Sequence, residues 1–210
     1  GRSSPRLPYD YEASAAALLR ACRAAGGRKL AFVALANEGS IASPGEVRAR
    51  LLAVRDAMLA SIDRGLLRTG TLPGGRTRSA AAHFPDDDRA AAAQRCRAWA
   101  LAAAEENAAG SGVVAAPSNG AAGIVASLLR HALASSTLAS DDDAIEFLAT
   151  AGATGALLRR AGLRQVGCQG EVGVAAGLAA AGGAAVMGAT PSQARHAAEL
   201  ALEPHRGLAC

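Results

Sequence analysis

Two segments of this sequence combine glycine with polar or nucleophilic side chains inside otherwise apolar surroundings. The first is VVAAPSNGAAGIV, Val113 to Val125. Pro117 breaks the chain and Ser118-Asn119-Gly120 opens a helix, so free backbone N–H groups and two polar side chains converge at one helix N-terminus. Such an end suits a carboxylate or phosphate, because its donors lack intrahelical partners and the macrodipole favours negative charge. Read alone, it is a good helix cap. The second segment is VGCQGEVGVA, Val166 to Ala175. Gly167 and Gly170 flank Cys168 and let backbone approach a bound group, while Gln169 and Glu171 set polar atoms beside the thiol. By itself such a cysteine is a buried structural thiol; deprotonated, it is a ligand or a nucleophile.

Other chemistries lack their anchors. HExxH, GxSxG, GxxxxGK and GxGxxG are all missing, which removes the zinc protease, serine hydrolase, P-loop and Rossmann readings. His83, His131, His196 and His205 share no ligand spacing, and each is read as an isolated surface residue. Lys29 is the sole lysine and follows a Gly-Gly helix end without a phosphate-cradling loop, so a pyridoxal phosphate Schiff base has no support. The four cysteines (22, 96, 168 and 210) form no CxxC pair, and a chain of 210 residues is no disulfide scaffold. A reducing, cytoplasmic setting is the expectation. The net charge of +4 suggests nucleic acid, but the arginines are dispersed and only 3% of residues are aromatic, leaving no stacking platform. The excess is read as an Arg- and Ala-rich compositional bias, and neither nucleic acid nor membrane is expected as a partner.

The elements that must position these segments read as helices. Ser43-Pro44-Gly45-Glu46 is a capping box with Pro at the first helical position. Val47, Leu51, Val54, Met58, Leu59 and Ile62 then recur at helical spacing, with Gly65 expected as the stop. Thr190-Pro191-Ser192-Gln193 repeats the device, with Gly207 as its stop. Asp86 to Asp88 and Asp141 to Asp143 place negative charge at helix starts. Period-two alternation is absent, so the expectation is an all-α fold, one compact domain over 1–210, with a long loop near 66–85. The uncharged stretches Asn107–Leu129 and Val172–Ala194 are too rich in Ala and Gly to drive membrane insertion and are read as buried central segments. A core with so few rings must bring backbones close together.

The strings EENAAG (Glu105 to Gly110), VVAAPSNGAAGIV, AGATGALLRR (Ala151 to Arg160), VGCQGEVGVA and GLAC (Gly207 to Cys210) occur in this order. Together they resemble the α, catalytic part of the bacterial iron–sulfur L-serine dehydratases, and IDRGLLRTGTLPGG (Ile62 to Gly75) resembles a loop of the same family. The resemblance runs from about Pro8 to the last residue. It implies an all-helical domain on which three cysteines hold a 4Fe–4S cluster, with the fourth iron acting as a Lewis acid on the substrate hydroxyl. Matched residue by residue, Cys168 and Cys210 are two cluster ligands, and Cys22 and Cys96 are structural. Ser118, Asn119 and Gly120 would hold the carboxylate of L-serine, and Gln169 and Glu171 would orient the cluster shell. Loss of water would give pyruvate and ammonia.

Departures from the family pattern set further expectations. The third ligand of the family lies in a Pro-Cys beyond position 210, so these 210 residues are read as truncated and not expected to hold an intact cluster alone. Glu203-Pro204-His205-Arg206 replaces the usual Glu-His-Asn, and Pro204 is expected to end the last helix early. The stretch between Arg160 and Cys168 is shorter than in relatives. The β part, as a subunit or a domain, is the expected partner and the expected source of the base, and a homo-oligomer is also compatible. The alternatives are a related iron–sulfur cysteine desulfidase and an inactive truncated helical remnant.

Overall fold

The computed structural model describes residues 7–11, 14–83, 92–135, 140–160 and 163–205, with backbone only at 159–160 and 163–169. Among the described residues there are eight α-helices and no strand. These are α1 (Ala15–Ala24), α2 (Leu30–Glu38), α3 (Pro44–Leu67), α4 (Ala92–Ala108), α5 (Ala122–Ser135), α6 (Asp141–Arg160), α7 (Leu163–Val186) and α8 (Pro191–Leu202). The all-α expectation holds.

Local chemistry sets the helix starts. Ser43 accepts from the Glu46 amide while Glu46 Oε2 accepts from the Ser43 amide at 2.9 Å, closing the capping box. Thr190 and Gln193 do the same for α8. Ser140 and Asp143 exchange equivalent bonds at α6, whose first turn carries all three aspartates. Gly26 and Gly27, both at positive φ, make the turn from α1 to α2. Asp86–Asp88 and Gly207 lie outside the described residues, and Gly207 is not the stop of α8, which ends at Leu202.

Gly65 is not a stop. The helix continues two residues to Leu67, because Gly65 serves packing: a Cβ there would fall 2.2 Å from the carbonyl oxygen of Ala102 in α4. Gly123 of α5 lies against α4 in the same way, with Ala100 O at 2.3 Å from where its Cβ would be. The close backbone approach expected from the composition is therefore built around α4. The loop begins at Arg68 rather than at 66, and α5 begins at Ala122, later than Ser118, after a turn in which the Ala122 amide donates to Asn119 O.

The larger core joins Met58 and Ile62 of α3, Trp99 and Ala102 of α4, Val125 and Leu129 of α5, Phe147 of α6 and Leu178 of α7. A second core holds Leu18 and Cys22 of α1, Val33 of α2, Ala149 and Ala153 of α6, and Ala194 of α8. Helix α7 packs against α5, α6 and α8, and its buried Ala and Gly positions occupy the centre, as expected for Val172–Ala194. Asn107–Leu129 contributes α5 and Ala121 to that centre; the loop before α5 packs Val114 and Ala116 against it. No described helix is long and apolar enough to cross a membrane.

Candidate functional site

The loop between α4 and α5 and the first half of α7 meet at a cavity of about 650 Å³. Its walls are Val54 and Met58 of α3, Val114 to Ser118 of the loop, Leu148, Ala151, Gly152, Gly155 and Ala156 of α6, and Glu171 and Leu178 of α7. Most of this lining is aliphatic. Against it stand two polar side chains, Ser118 and Glu171, 53 positions apart in sequence. The Ser118 hydroxyl is buried and has no hydrogen-bond partner among the described residues. An unpaired buried hydroxyl costs about 1–3 kcal/mol, so it is poised to gain from an incoming acceptor. Gly120 lies beside them: a Cβ at this position would sit 3.7 Å from Glu171 Oε2.

The sequence-derived residues are thus partly brought together. Ser118 and Glu171 share the cavity and Gly120 adjoins it, whereas Asn119 is exposed and does not line it. Cys168 and Gln169 lie on the early turns of α7, before Glu171, and their side chains are outside the described residues. Cys210 also lies outside them. Among the described residues no group of three or more His, Cys, Asp or Glu converges to hold a metal ion. Cys22 is buried in the second core and Cys96 is half-buried; burial pushes both thiols up, as suits structural cysteines.

The approach to the site depends on two acids that the sequence reading quoted only as part of a motif. Glu105 accepts from the Ser79 amide at 2.7 Å and from the Ala80 amide at 3.4 Å. Glu106, with no exposed side-chain surface, pairs with Arg64, Arg68 and Arg78, each at 3.1 Å. Burial alone would push the Glu106 carboxyl up, but Arg64, Arg68 and Arg78 together outweigh it and hold it below its ordinary value. Arg68 also donates to Ser111 Oγ at 2.8 Å and Arg64 to Gly112 O at 2.7 Å. The long loop and the segment leading to Ser118 are therefore tied to one buried carboxylate. Spacing in the sequence does not reveal that Glu105 and Glu106 are buried; once they are, each needs donors or cations.

Lys29 pairs with Glu146 at 2.6 Å at the start of α2, away from the cavity. Pro204 acts as expected: α8 ends at Leu202 and a 3₁₀ turn covers Glu203–His205. His205 departs from the surface reading. It is half-buried, its Nδ1 meets Ala201 O at 2.8 Å, and its Cβ would be 3.0 Å from a Cβ on Gly173 of α7.

Comparison with known proteins places the chain in a family. Residues 12–210 match the family described as the serine dehydratase alpha chain. The L-serine dehydratase of Mycobacterium bovis is 43% identical over 84% of this chain and 42% of its own length. That of Streptomyces coelicolor is 39% identical over 92% and 44%, and L-serine dehydratase 2 of Escherichia coli 38% over 97% and 47%. The chain spans less than half the length of each of these relatives. The chain belongs to the serine dehydratase alpha chain family.

Proposed function

We propose that this chain is the α-type catalytic part of an L-serine dehydratase, eliminating water from L-serine to leave pyruvate and ammonia. The observation that carries the reading is the convergence of the unpaired Ser118 hydroxyl and the Glu171 carboxylate on one largely apolar cavity. Ser118 Oγ donates to a substrate carboxylate oxygen, backed by the backbone at Asn119 and Gly120, and the negative Glu171 faces the ammonium group. Aliphatic walls from α3 and α6 exclude water and strengthen both contacts.

The cofactor of this reading is a 4Fe–4S cluster, which Cys168 and Cys210 would hold together with a third thiolate. Thiolates are the donor type that suits such a cluster. Glu171, the polar cavity group three residues after Cys168 on α7, and the seat of His205 against Gly173 support the fit. Gly173 is five residues past Cys168, about 7.5 Å along a helix. When bound, the cluster supplies a Lewis acid that makes the serine hydroxyl a better leaving group. Gln169 and Glu171 orient its surroundings. A β part, as domain or subunit, completes the enzyme.

The test is pyruvate release from L-serine by the reconstituted holoenzyme carrying Ser118→Ala, with folding checked by circular dichroism. Loss of a hydrogen bond to a charged group predicts a fall in kcat/KM of about 10- to 100-fold. Wild-type kcat/KM in Ser118→Ala would remove the assignment, as unchanged turnover in Asn119→Ala would remove that residue. Sulfide release from L-cysteine in preference to pyruvate from L-serine would redirect the substrate assignment.

A further inference from the structure

A second cavity, of about 400 Å³, lies on the other side of the Ser118–Gly120 turn. Gly120 and Ala121 form part of its wall, whereas Ser118 opens to the first cavity. Its polar lining is basic: Arg76, Arg97 and His83, with Ser79 beside them. Its remaining wall is short and aliphatic, from Ala100, Leu101 and Ala104 of α4 and Ile124 of α5.

Arg76, His83 and Arg97 are exposed at the rim of the cavity, on backbone that is itself held in place. Arg76 sits on a tight turn closed by the Leu72 amide donating to Arg76 O at 2.7 Å and by the Arg78 amide donating to Gly70 O at 2.9 Å. His83 is fixed through Nδ1, which donates to Ser79 O at 2.8 Å. Arg97 projects from α4 one turn before Leu101. The neighbouring arginines Arg64, Arg68 and Arg78 are all committed to Glu106. Arg76 and Arg97 have no carboxylate partner among the described residues. Glu105 of α4 is turned to the Ser79 and Ala80 amides.

We infer that this basic cavity is a binding site for a small monocarboxylate with a short aliphatic body, separate from the serine cavity and sharing with it only the turn at Gly120. Two guanidiniums facing one pocket match a carboxylate in geometry as well as charge. The aliphatic wall accommodates a few carbons, and the volume lies within the range of small-molecule sites. Because Gly120 borders the pocket and adjoins Glu171, an occupant here bears on the loop that carries Ser118.

The experiment is calorimetric titration of the 210-residue chain with sodium propionate, with propionamide as the neutral isostere. It requires neither cluster nor turnover, so its outcome is independent of the serine dehydratase reading. Saturable propionate binding that propionamide does not reproduce is expected. Arg76→Gln and Arg97→Gln should each weaken it at least about tenfold, the scale of one charge-assisted hydrogen bond. Ala104→Leu should abolish it by filling the aliphatic end, while Arg50→Gln, remote from this pocket, should leave it unchanged. Equal binding of propionamide, or indifference to both arginine substitutions, overturns the proposal. The chain's own Asp86–Asp88, three positions beyond His83, offers the same chemistry from a different source. If Asp86→Asn/Asp87→Asn/Asp88→Asn raises propionate affinity tenfold or more, the pocket serves that segment and the free-ligand proposal fails.

Discussion

Replacing Gly65 by alanine tests the close helix packing directly. On an unpacked helix the change should stabilise by about 1 kcal/mol, the difference in helix propensity. At Gly65 the added Cβ would lie 2.2 Å from Ala102 O, 2.6 Å from its carbonyl carbon and 2.8 Å from its Cα. Carbon atoms in ordinary contact sit about 3.5 Å apart, so α3 and α4 must separate by about 1 Å. The obstacle is backbone and no side chain can rotate away. Overpacking of this kind costs about 1–3 kcal/mol and occasionally more. Here the same movement also draws Arg64 on α3, and Arg68 just past its end, from Glu106 on α4. A net loss of about 2–3 kcal/mol is expected, equivalent to a fall in Tm of about 4–12 °C for a domain of this size. Gly183→Ala in α7 is the internal control, because nothing lies within 4 Å of its added Cβ. It should raise stability by about 1 kcal/mol. Urea unfolding with unchanged slope measures both. If Gly65→Ala matches or exceeds the wild type, the backbone contact between α3 and α4 is refuted.

Two further outcomes follow from the charged and thiol groups. Glu106→Gln leaves Arg64, Arg68 and the buried Arg78 without their shared counter-ion, and should cost about 2 kcal/mol, below the about 3–5 kcal/mol of a fully enclosed pair because Arg64 and Arg68 meet solvent. The folded-state pKa of Glu106 is depressed, so its contribution is complete above the ordinary carboxylate value and is lost as pH falls through the lower folded value. The stability gap between wild type and Glu106→Gln in urea should therefore be constant above about pH 5 and narrow on acidification; a gap that widens in acid would contradict this. Burial raises both Cys22 and Cys96, so iodoacetamide should modify each far more slowly at pH 7.5 in the native chain than in urea, as read by peptide mass spectrometry. Rapid native alkylation of Cys22 would refute its burial in the second core.

The parts of the fold that depend on neighbours in sequence were legible. Ser43 with Glu46, Thr190 with Gln193, and Asp141 to Asp143 all declare helix starts through groups within three residues. Gly65 was misread because a helix-ending glycine and a packing glycine are the same letter. Only Ala102, on another helix, distinguishes them. The site was legible in halves: PSNG and CQGEVG stood out locally, but their meeting through Ser118 and Glu171 depends on how α7 crosses beneath the α4–α5 loop. Asn119 shows the opposite limit, since its neighbours face cavities and it faces solvent. The triple pairing on Glu106 joins three arginines from two segments to one acid, a convergence that spacing alone does not encode.

The alanine- and glycine-lined contacts around α4 have a calorimetric consequence. Helices that meet backbone to backbone are held by many short dispersion contacts, yet they hide little hydrocarbon from water on folding. The heat capacity increment on melting tracks newly hydrated hydrocarbon, about 12–15 cal/mol/K per residue in ordinary domains. A fold cemented by Gly65, Ala102, Gly123 and Ala100 should fall below that range. Its free energy would then curve gently with temperature, tolerating chilling as well as warming.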